Sequence, residues 1–288
     1  MTGFFVVSRY GLMWAMQINQ STLINGSFNG VISALDRGFS YGDGVFRTIK
    51  VVQGLPEHWP VHYQTLVKDC SAIGIVCPSA DDLINDFKQL FSIDESVAVA
   101  KIIVTRGEGE RGYNPPAVTH PMRVMIKSKL PNYPQANFDD GVALHLCETR
   151  IAHQPRLAGV KHLNRLENVL ARMEWQDPLV ADGVMLDVVG NVIECTAANI
   201  FARYGNLLIT PKLDQCGVAG ITRHQILNRA MHLKLQTAVE TFDLNKLLAA
   251  DEIIICNSLF GAWQVRQFNH QHWKKQTLAS HLREALHS

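Results

Sequence analysis

Short β-prone segments joined by tight turns constrain the fold more than any other feature. Residues 182–211 read DGVMLDVVGNVIECTAANIFARYGNLLITP, two hairpin-like units that turn at Gly190 and Gly205, and such turns join neighbouring antiparallel strands. Residues 18–52 have the same character. Hairpins of this kind differ from the steady strand–helix alternation of a doubly wound parallel sheet. We therefore predict an α+β fold.

Helices and further strands lie between these hairpins. The pattern predicts a helix over residues 62–73 and a second helix after Ser79, whose hydroxyl suits the N-cap position. A buried strand follows from Val97.

Prolines cluster between residues 113 and 138, which is typical of a boundary between domains. We predict an N-terminal extension at residues 1–15, a small N-terminal α+β domain at 16–135 and a larger C-terminal domain at 136–288.

Composition narrows the class of function. The chain has 288 residues, 47% of them hydrophobic, and a net charge of +1, so it can bury a full core and carries no basic block for nucleic acid or a membrane surface. The six cysteines are far apart and form no metal-binding or disulfide pattern, which indicates a reducing cytoplasm. Residues 4–16 are apolar but too short to span a membrane and lack the cationic start of a signal peptide. A small-molecule site without a metal is the expectation.

One lysine stands beside a helix-like pattern. Lys161 precedes apolar residues at helical spacing, which predicts an amphipathic helix with one buried stripe; these residues are Leu163, Leu166, Val169, Leu170 and Met173. Taken alone, Lys161 reads as an ordinary solvated lysine at the start of that helix.

A glycine-containing loop, CGVAG, runs into another amphipathic helix. We expect Thr222 to be its N-cap, with Gln225 at capping-box spacing. Exposed N–H groups at such a helix start can bind a phosphate, although many ordinary loop-to-helix junctions look alike.

Glu194 lies inside the apolar segment VIECTAANIF. A carboxylate there has to be paired, either in a structural hydrogen bond or with the protonated ring nitrogen of a pyridoxal cofactor.

These motifs together resemble the fold-type IV pyridoxal-phosphate enzymes. That group contains branched-chain aminotransferases, D-amino acid aminotransferases and 4-amino-4-deoxychorismate lyases. The segments RGFSYGDGVFRTIKV, VIECTAANIF and GVAGITR resemble the group as a whole, whereas TRGEGERGY, GVKHLNRLE and LDQCGVAGITR are most similar to the lyase branch. The resemblance runs from about residue 23 to residue 260. It implies a small N-terminal α/β sandwich domain, a larger C-terminal domain with a barrel-like sheet, and a homodimer.

The resemblance also implies roles for individual residues. Lys161 corresponds to the Schiff-base lysine and Glu194 to the partner of the pyridine nitrogen. Ile221 and Thr222 match the phosphate-binding turn. Asn257 and Ser258 match a loop that borders the cofactor.

The lyase branch implies elimination of pyruvate from 4-amino-4-deoxychorismate to give 4-aminobenzoate for folate biosynthesis. Because the substrate has two carboxylates, arginines should line its pocket; Arg106 and Arg111 are candidates, although both suit a plain surface role. Arg165 is another candidate, or it pairs with Glu194 or another local acid. Tyr41 either shapes the entrance or packs in the core.

Two other functions remain open at this stage. A fold-type IV aminotransferase would share Lys161 and Glu194, and a non-catalytic protein could have kept the fold alone. One departure from the group concerns the cofactor phosphate. Where the group has an arginine in an H-x-x-R-L helix segment, this chain has Thr65. Either Lys68 compensates or the cofactor is held loosely; we expect loose binding.

Overall fold

The computed structural model describes residues 21–287, and its first part is an antiparallel sheet of five strands covered by helices. The strands are β1 (Thr22–Ile24), β2 (Gly44–Val52), β3 (Leu55–Pro56), β4 (Val97–Thr105) and β5 (Met122–Ser128), in the order β1-β5-β4-β2-β3. Three helices belong to this part: α1 (Arg37–Tyr41), α2 (Trp59–Ala72) and α3 (Ala80–Leu90).

The core of this part lies between the sheet and the helices α2 and α3. Ile49 of β2 and Ile102 of β4 are fully buried against Leu66 of α2 and Phe87 of α3. Helix α3 starts where predicted, because the Ser79 hydroxyl accepts a hydrogen bond from the Asp82 N–H at 3.1 Å. The predicted helix over residues 62–73 and the strand from Val97 are also confirmed.

The second part is a larger mixed sheet. Its strands are β6 (Val142–Leu146), β7 (Val180–Leu186), β8 (Val192–Cys195), β9 (Asn199–Tyr204), β10 (Leu207–Pro211), β11 (Gln236–Glu240), β12 (Glu252–Asn257), β13 (Gly261–Phe268) and β14 (Gln271–His272). They follow the order β11-β10-β9-β12-β13-β6-β7-β8, and β14 pairs with β13. Its helices are α4 (Gln135–Asp139), α5 (Leu166–Arg172), α6 (Ile221–Arg229), α7 (Leu244–Leu248) and α8 (Leu278–His287).

The segment 159–163 links the two parts. On one side, the Phe46 N–H of β2 donates to the Lys161 carbonyl at 2.9 Å, and the Leu163 N–H donates to the Gly44 carbonyl at 3.0 Å. On the other side, Gly159 forms a bridge with Val218. A cavity opens beside this segment, between the two sheets.

The α+β prediction is confirmed, with turns at Gly190 and Gly205 as expected. The predicted domain boundary near residue 135 falls between the last strand of the first sheet and the first strand of the second. It stays a prediction, and the proposed extension at residues 1–15 lies outside the described residues.

The helix after Lys161 differs from its prediction in two ways. It begins at Leu166, so Lys161 lies five residues before it in an extended segment. The expected buried stripe is also wrong, because Leu166 and Met173 are 68% and 66% exposed and Val169 and Leu170 are exposed too. The apolar periodicity is real, but this face does not pack on the chain's own core.

Candidate active site

A cavity of about 350 Å³ brings together residues from both sheets. Seven of the residues predicted from the sequence line it: Lys161, Arg165, Glu194, Ile221, Thr222, Asn257 and Ser258. A second cavity of about 520 Å³ adjoins it, and the two share six lining residues: Tyr133, Arg165, Asn168, Thr196, Ala197 and Asn257. We call these the inner and the outer cavity.

Lys161 is held by its backbone on two sides. Its carbonyl accepts from Phe46, and its N–H donates to the Asp69 Oδ2 atom at 3.2 Å. Its Nζ atom lies 4.7 Å from the centre of the Phe46 ring. The pKa of Lys161 is lowered from 10.5 to about 8, mainly by burial; Glu194 acts in the opposite direction, and Arg47 and Arg165 act in the same direction as burial. A substantial fraction of this amine is therefore neutral near pH 7.5, as a nucleophile or a base requires.

Glu194 on β8 is 3% exposed. Its Oε2 atom accepts a hydrogen bond from the Val218 N–H at 2.8 Å, and burial raises the pKa of its carboxyl group. Because a buried carboxylate is costly unless it is paired, Glu194 suits a cationic or protonated partner in the inner cavity.

The turn before α6 is fixed by Asn199. The Asn199 Oδ1 atom accepts from the Gly220 N–H at 3.1 Å, and its Nδ2 atom donates to the Val218 carbonyl at 2.8 Å. A Cβ atom on residue 220 would lie 2.3 Å from the Asn199 Oδ1 atom, so this close approach requires glycine. Glu194 and Asn199 therefore hold one turn from two sides.

Helix α6 begins at Ile221, and its N-cap is Gly220. The expectation that Thr222 is the N-cap is wrong, because the Asn199 contact sets the start of the helix two residues earlier. Thr222 instead lies in the first turn, where the N–H groups have no partner within the helix. Ile221 and Thr222 are nearly buried, and both line the inner cavity. The start of the helix thus offers N–H donors to an anion there.

The loop after β12 closes another side of the cavity. The Asn257 Oδ1 atom accepts from the N–H groups of Leu259 and Phe260 at 2.9 and 3.1 Å, which fixes the loop. The Ser258 hydroxyl donates to the Thr48 carbonyl of β2 at 2.9 Å and ties the two sheets together.

Arg165 lies between the inner and the outer cavity. Its Nε and Nη2 atoms donate to the carbonyls of His162 and Val160 at 3.0 and 2.9 Å. Two of the five N–H donors of the guanidinium are used in this way. Arg172 and Trp263 also line the outer cavity.

The other predicted substrate residues lie elsewhere. Arg106 forms an ion pair with Asp43 at 2.7 Å, and the Tyr41 hydroxyl accepts from the Gly112 N–H at 3.1 Å. Arg111 is exposed. None of the three lines the inner or the outer cavity of this chain.

Sequence reasoning missed two residues of the inner cavity. Arg47 of β2 and His62 of α2 line it, each with 3% of its surface exposed. Arg47 forms an ion pair with Asp69, the same residue that accepts from the Lys161 N–H. A signal was present, since Arg47 lies on the same face of β2 as Val45, Ile49 and Val51, and that buried face is otherwise apolar.

Unpartnered buried atoms mark this end of the cavity as a ligand site. Within residues 21–287, neither Arg47 Nε nor His62 Nδ1 has a hydrogen-bond partner. Buried polar nitrogens are rarely left in this state unless a ligand or water satisfies them. An amine, a buried acid, a guanidinium and free helix N–H groups fit the aldehyde, the ring nitrogen and the phosphate of pyridoxal phosphate.

Comparison with known proteins identifies the family. Residues 44–268 match the amino-transferase class IV family. The chain belongs to that family. Aminodeoxychorismate lyase of Vibrio harveyi is 39% identical over 78% of this chain and 83% of its own. A putative branched-chain-amino-acid aminotransferase of Methanocaldococcus jannaschii is 29% identical over 81% of this chain and 82% of its own.

A solved structure agrees with this assignment. The 4-amino-4-deoxychorismate lyase of Pseudomonas aeruginosa is 40% identical, with a TM-score of 0.87 over 92% of this chain and 97% of that chain. Membership of the class IV family confirms the predicted fold and the predicted cofactor, pyridoxal phosphate. No helix among the described residues is long and apolar enough to cross a membrane, and those residues hold no group of three or more potential metal ligands.

Proposed function

We propose that this class IV enzyme is a 4-amino-4-deoxychorismate lyase, which releases pyruvate and leaves 4-aminobenzoate. The two relatives at 39% and 40% identity carry this activity in their names, and they bear out the prediction made from the sequence. The single structural observation that carries the proposal is the meeting of Lys161 and Glu194 in one cavity, with Arg165 at its opening toward a second.

The inner cavity fits pyridoxal phosphate through this chain's own residues. Glu194 would face the ring nitrogen, and the N–H groups of Ile221 and Thr222 would hold the phosphate. When bound, the cofactor supplies an electron-withdrawing ring that stabilises the charge left when a substrate C–H bond breaks. A negative carboxylate at Glu194 favours the protonated ring nitrogen.

Lys161 is the proposed acid and base. Its neutral amine takes the proton from substrate C4, and the bond between C3 and the enolpyruvyl oxygen breaks as the ring becomes aromatic. The protonated amine then returns the proton to the enolpyruvyl methylene carbon, which yields pyruvate. Proton and electrons balance without an oxidant or a second substrate. The hydrogen bonds at both peptide groups of Lys161 keep the amine in place for both transfers.

Arg165 is the proposed partner of a substrate carboxylate. It lines both cavities. Two of its N–H groups donate to backbone carbonyls, and the other N–H groups of the guanidinium can bind a carboxylate. Arg106 and Arg111 stay predictions for this role, as does Tyr41. Because they line neither cavity of their own chain, such a role would require them to come from a second copy.

A homodimer is proposed on the exposed apolar face of α5. Leu166, Val169, Leu170 and Met173 form this face. It continues toward α1, since the Asn164 Nδ2 atom donates to the Gly42 carbonyl at 3.1 Å, and Phe39 of α1 is 76% exposed. Apolar surface of this extent on an otherwise well-packed protein suits a permanent partner. The cytoplasmic location inferred from the cysteine pattern stays a prediction.

The decisive assay supplies 4-amino-4-deoxychorismate to the cofactor-loaded enzyme and measures pyruvate. We expect pyruvate and 4-aminobenzoate in equal amounts without any 2-oxo acid, and a rate lower by at least about 10²-fold with Lys161→Ala. Amino transfer that depends on a 2-oxo acid would instead identify an aminotransferase. No reaction under either condition would contradict both activities.

A further inference from the structure

The resemblance described above implies an arginine for the cofactor phosphate at the place of Thr65, and the Thr65 side chain does not substitute for it. Its hydroxyl donates to the Val61 carbonyl one helical turn back, at 2.7 Å. Lys68, three residues further along α2, is exposed to solvent. The helix therefore presents no cation to the inner cavity from either position.

Arg47 supplies a cation from the facing strand. It lies on β2, is 3% exposed and lines the same cavity as Lys161 and Thr222. Its ion-pair partner Asp69 lies four residues after Thr65, on the same face of α2. The Asp69 ion pair thus holds the guanidinium of Arg47 against α2, one helical turn from residue 65.

The hydrogen bonds of Arg47 are incomplete. Its Nη2 atom reaches Asp69, whereas Nε has no partner among the described residues. A buried guanidinium has five donors in a fixed planar fork, which matches the oxygens of a phosphate. Within residues 21–287, Asp69 is the one acid paired with Arg47, and it also accepts a hydrogen bond from the Lys161 N–H, so its charge is shared.

We propose that Arg47 binds the cofactor phosphate, so that the phosphate cation of this enzyme comes from strand β2 and not from helix α2. The inference rests on the proposed function for the identity of the ligand. It replaces the expectation of loose cofactor binding: the phosphate site is complete, with its cation moved across the interface between strand and helix.

The test is titration of the apoprotein with pyridoxal phosphate and, separately, with pyridoxal, which lacks the phosphate. Arg47→Gln should raise the Kd for pyridoxal phosphate about ten- to a hundred-fold and leave that for pyridoxal within about twofold, because one charge-assisted bond to phosphate is lost. Lys68→Ala, on the exposed face of α2, is the matched control and should change neither. Equal weakening for both ligands, or no change for either, would overturn the proposal.

Two further variants keep the test decisive. If Arg47→Gln does not fold because Asp69 is left buried and unpaired, Arg47→Gln with Asp69→Asn removes both charges and should show the same selective loss. Thr65→Arg alone should leave the Kd for pyridoxal phosphate within about threefold; tightening of tenfold or more would mean that the site lacked a cation and would overturn the proposal.

Failure of the proposed function would look different. If pyridoxal does not bind the wild type at all, the assignment of Lys161 is contradicted. Inorganic phosphate then decides the role of Arg47: it should bind the wild type and not the Arg47→Gln variant, whereas equal binding to both would refute that role.

Discussion

The two ends of the active site are built in different ways. At the end formed by Arg47, Glu194 and the start of α6, the side chains are buried and held by hydrogen bonds within one chain. At the outer cavity, the bordering helix α5 leaves its large apolar residues Leu166, Val169 and Leu170 exposed. The proposed cofactor end is thus preorganised by one chain, while the proposed substrate end borders an exposed apolar surface.

The largest expected effect concerns the lysine at the junction of the two ends. Lys161→Ala should lower turnover by about 10²- to 10⁴-fold or more, since one group serves as acid and base. Its circular dichroism should match the wild type, because the segment is held by backbone bonds. Lys68→Ala is the control. Normal pyruvate release by the purified Lys161→Ala variant would contradict the proposed role of Lys161 as acid and base.

Glu194→Gln should reduce the rate by roughly tenfold or more, about 1.4 kcal/mol of barrier, while the cofactor stays bound. A neutral amide favours the protonated ring nitrogen less than a carboxylate does. Steady-state kinetics and the absorbance of the bound cofactor measure the two properties separately. A rate within about twofold of the wild type would mean that Glu194 only fixes the turn at Val218.

Dissociation of the proposed dimer should lower turnover through its effect on the substrate end. Leu166→Glu places a charge on the exposed α5 face and should shift the mass in sedimentation from twice 32.2 kDa toward 32.2 kDa. Val76→Glu, at a site 72% exposed outside that face, is the control. Pyridoxal binding should persist in the Leu166→Glu variant, whereas turnover should fall. A wild type that sediments as a monomer would contradict the proposed dimer.

The last expected effect is on stability and not on rate. Burial, followed by Arg47, lowers the pKa of His62 from 6.5 to about 3. The folded state therefore keeps His62 neutral where the unfolded chain binds a proton, so stability is lost as the pH falls from 6.5 toward 3. Between pH 7 and pH 5 this costs about 2 kcal/mol.

Urea unfolding of apoprotein at these two pH values measures that loss. His62→Gln should lose about 2 kcal/mol less than the wild type over the same interval. Identical pH dependence in both proteins would show that His62 does not stay neutral in the fold.

Most of the residues that meet in the inner cavity could be predicted from the sequence because their motifs are local. Lys161, Glu194 and the turn before Ile221 each stand in a short segment of recognisable chemistry. Arg47 was not predicted because its position depends on Asp69, which lies 22 residues away on another element. Only the packing of β2 against α2 brings the two together.

Two errors have a physical reason. Periodicity in α5 shows that one face is apolar but does not say which surface covers it, so Leu166 was expected inside and lies outside. The start of α6 depends on the contact between Gly220 and Asn199, which are 21 residues apart. Thr222 is an equally good cap by residue type, and sequence alone does not distinguish the two.

The most direct test of the whole account is to identify the residue that binds the cofactor covalently. Purified enzyme loaded with pyridoxal phosphate is reduced with borohydride, digested and analysed by mass spectrometry. We expect the pyridoxyl group on the peptide that contains Lys161, in close to one copy per chain. A label on any other lysine, with Lys161 unmodified, would contradict the assignment of this cavity as the active site.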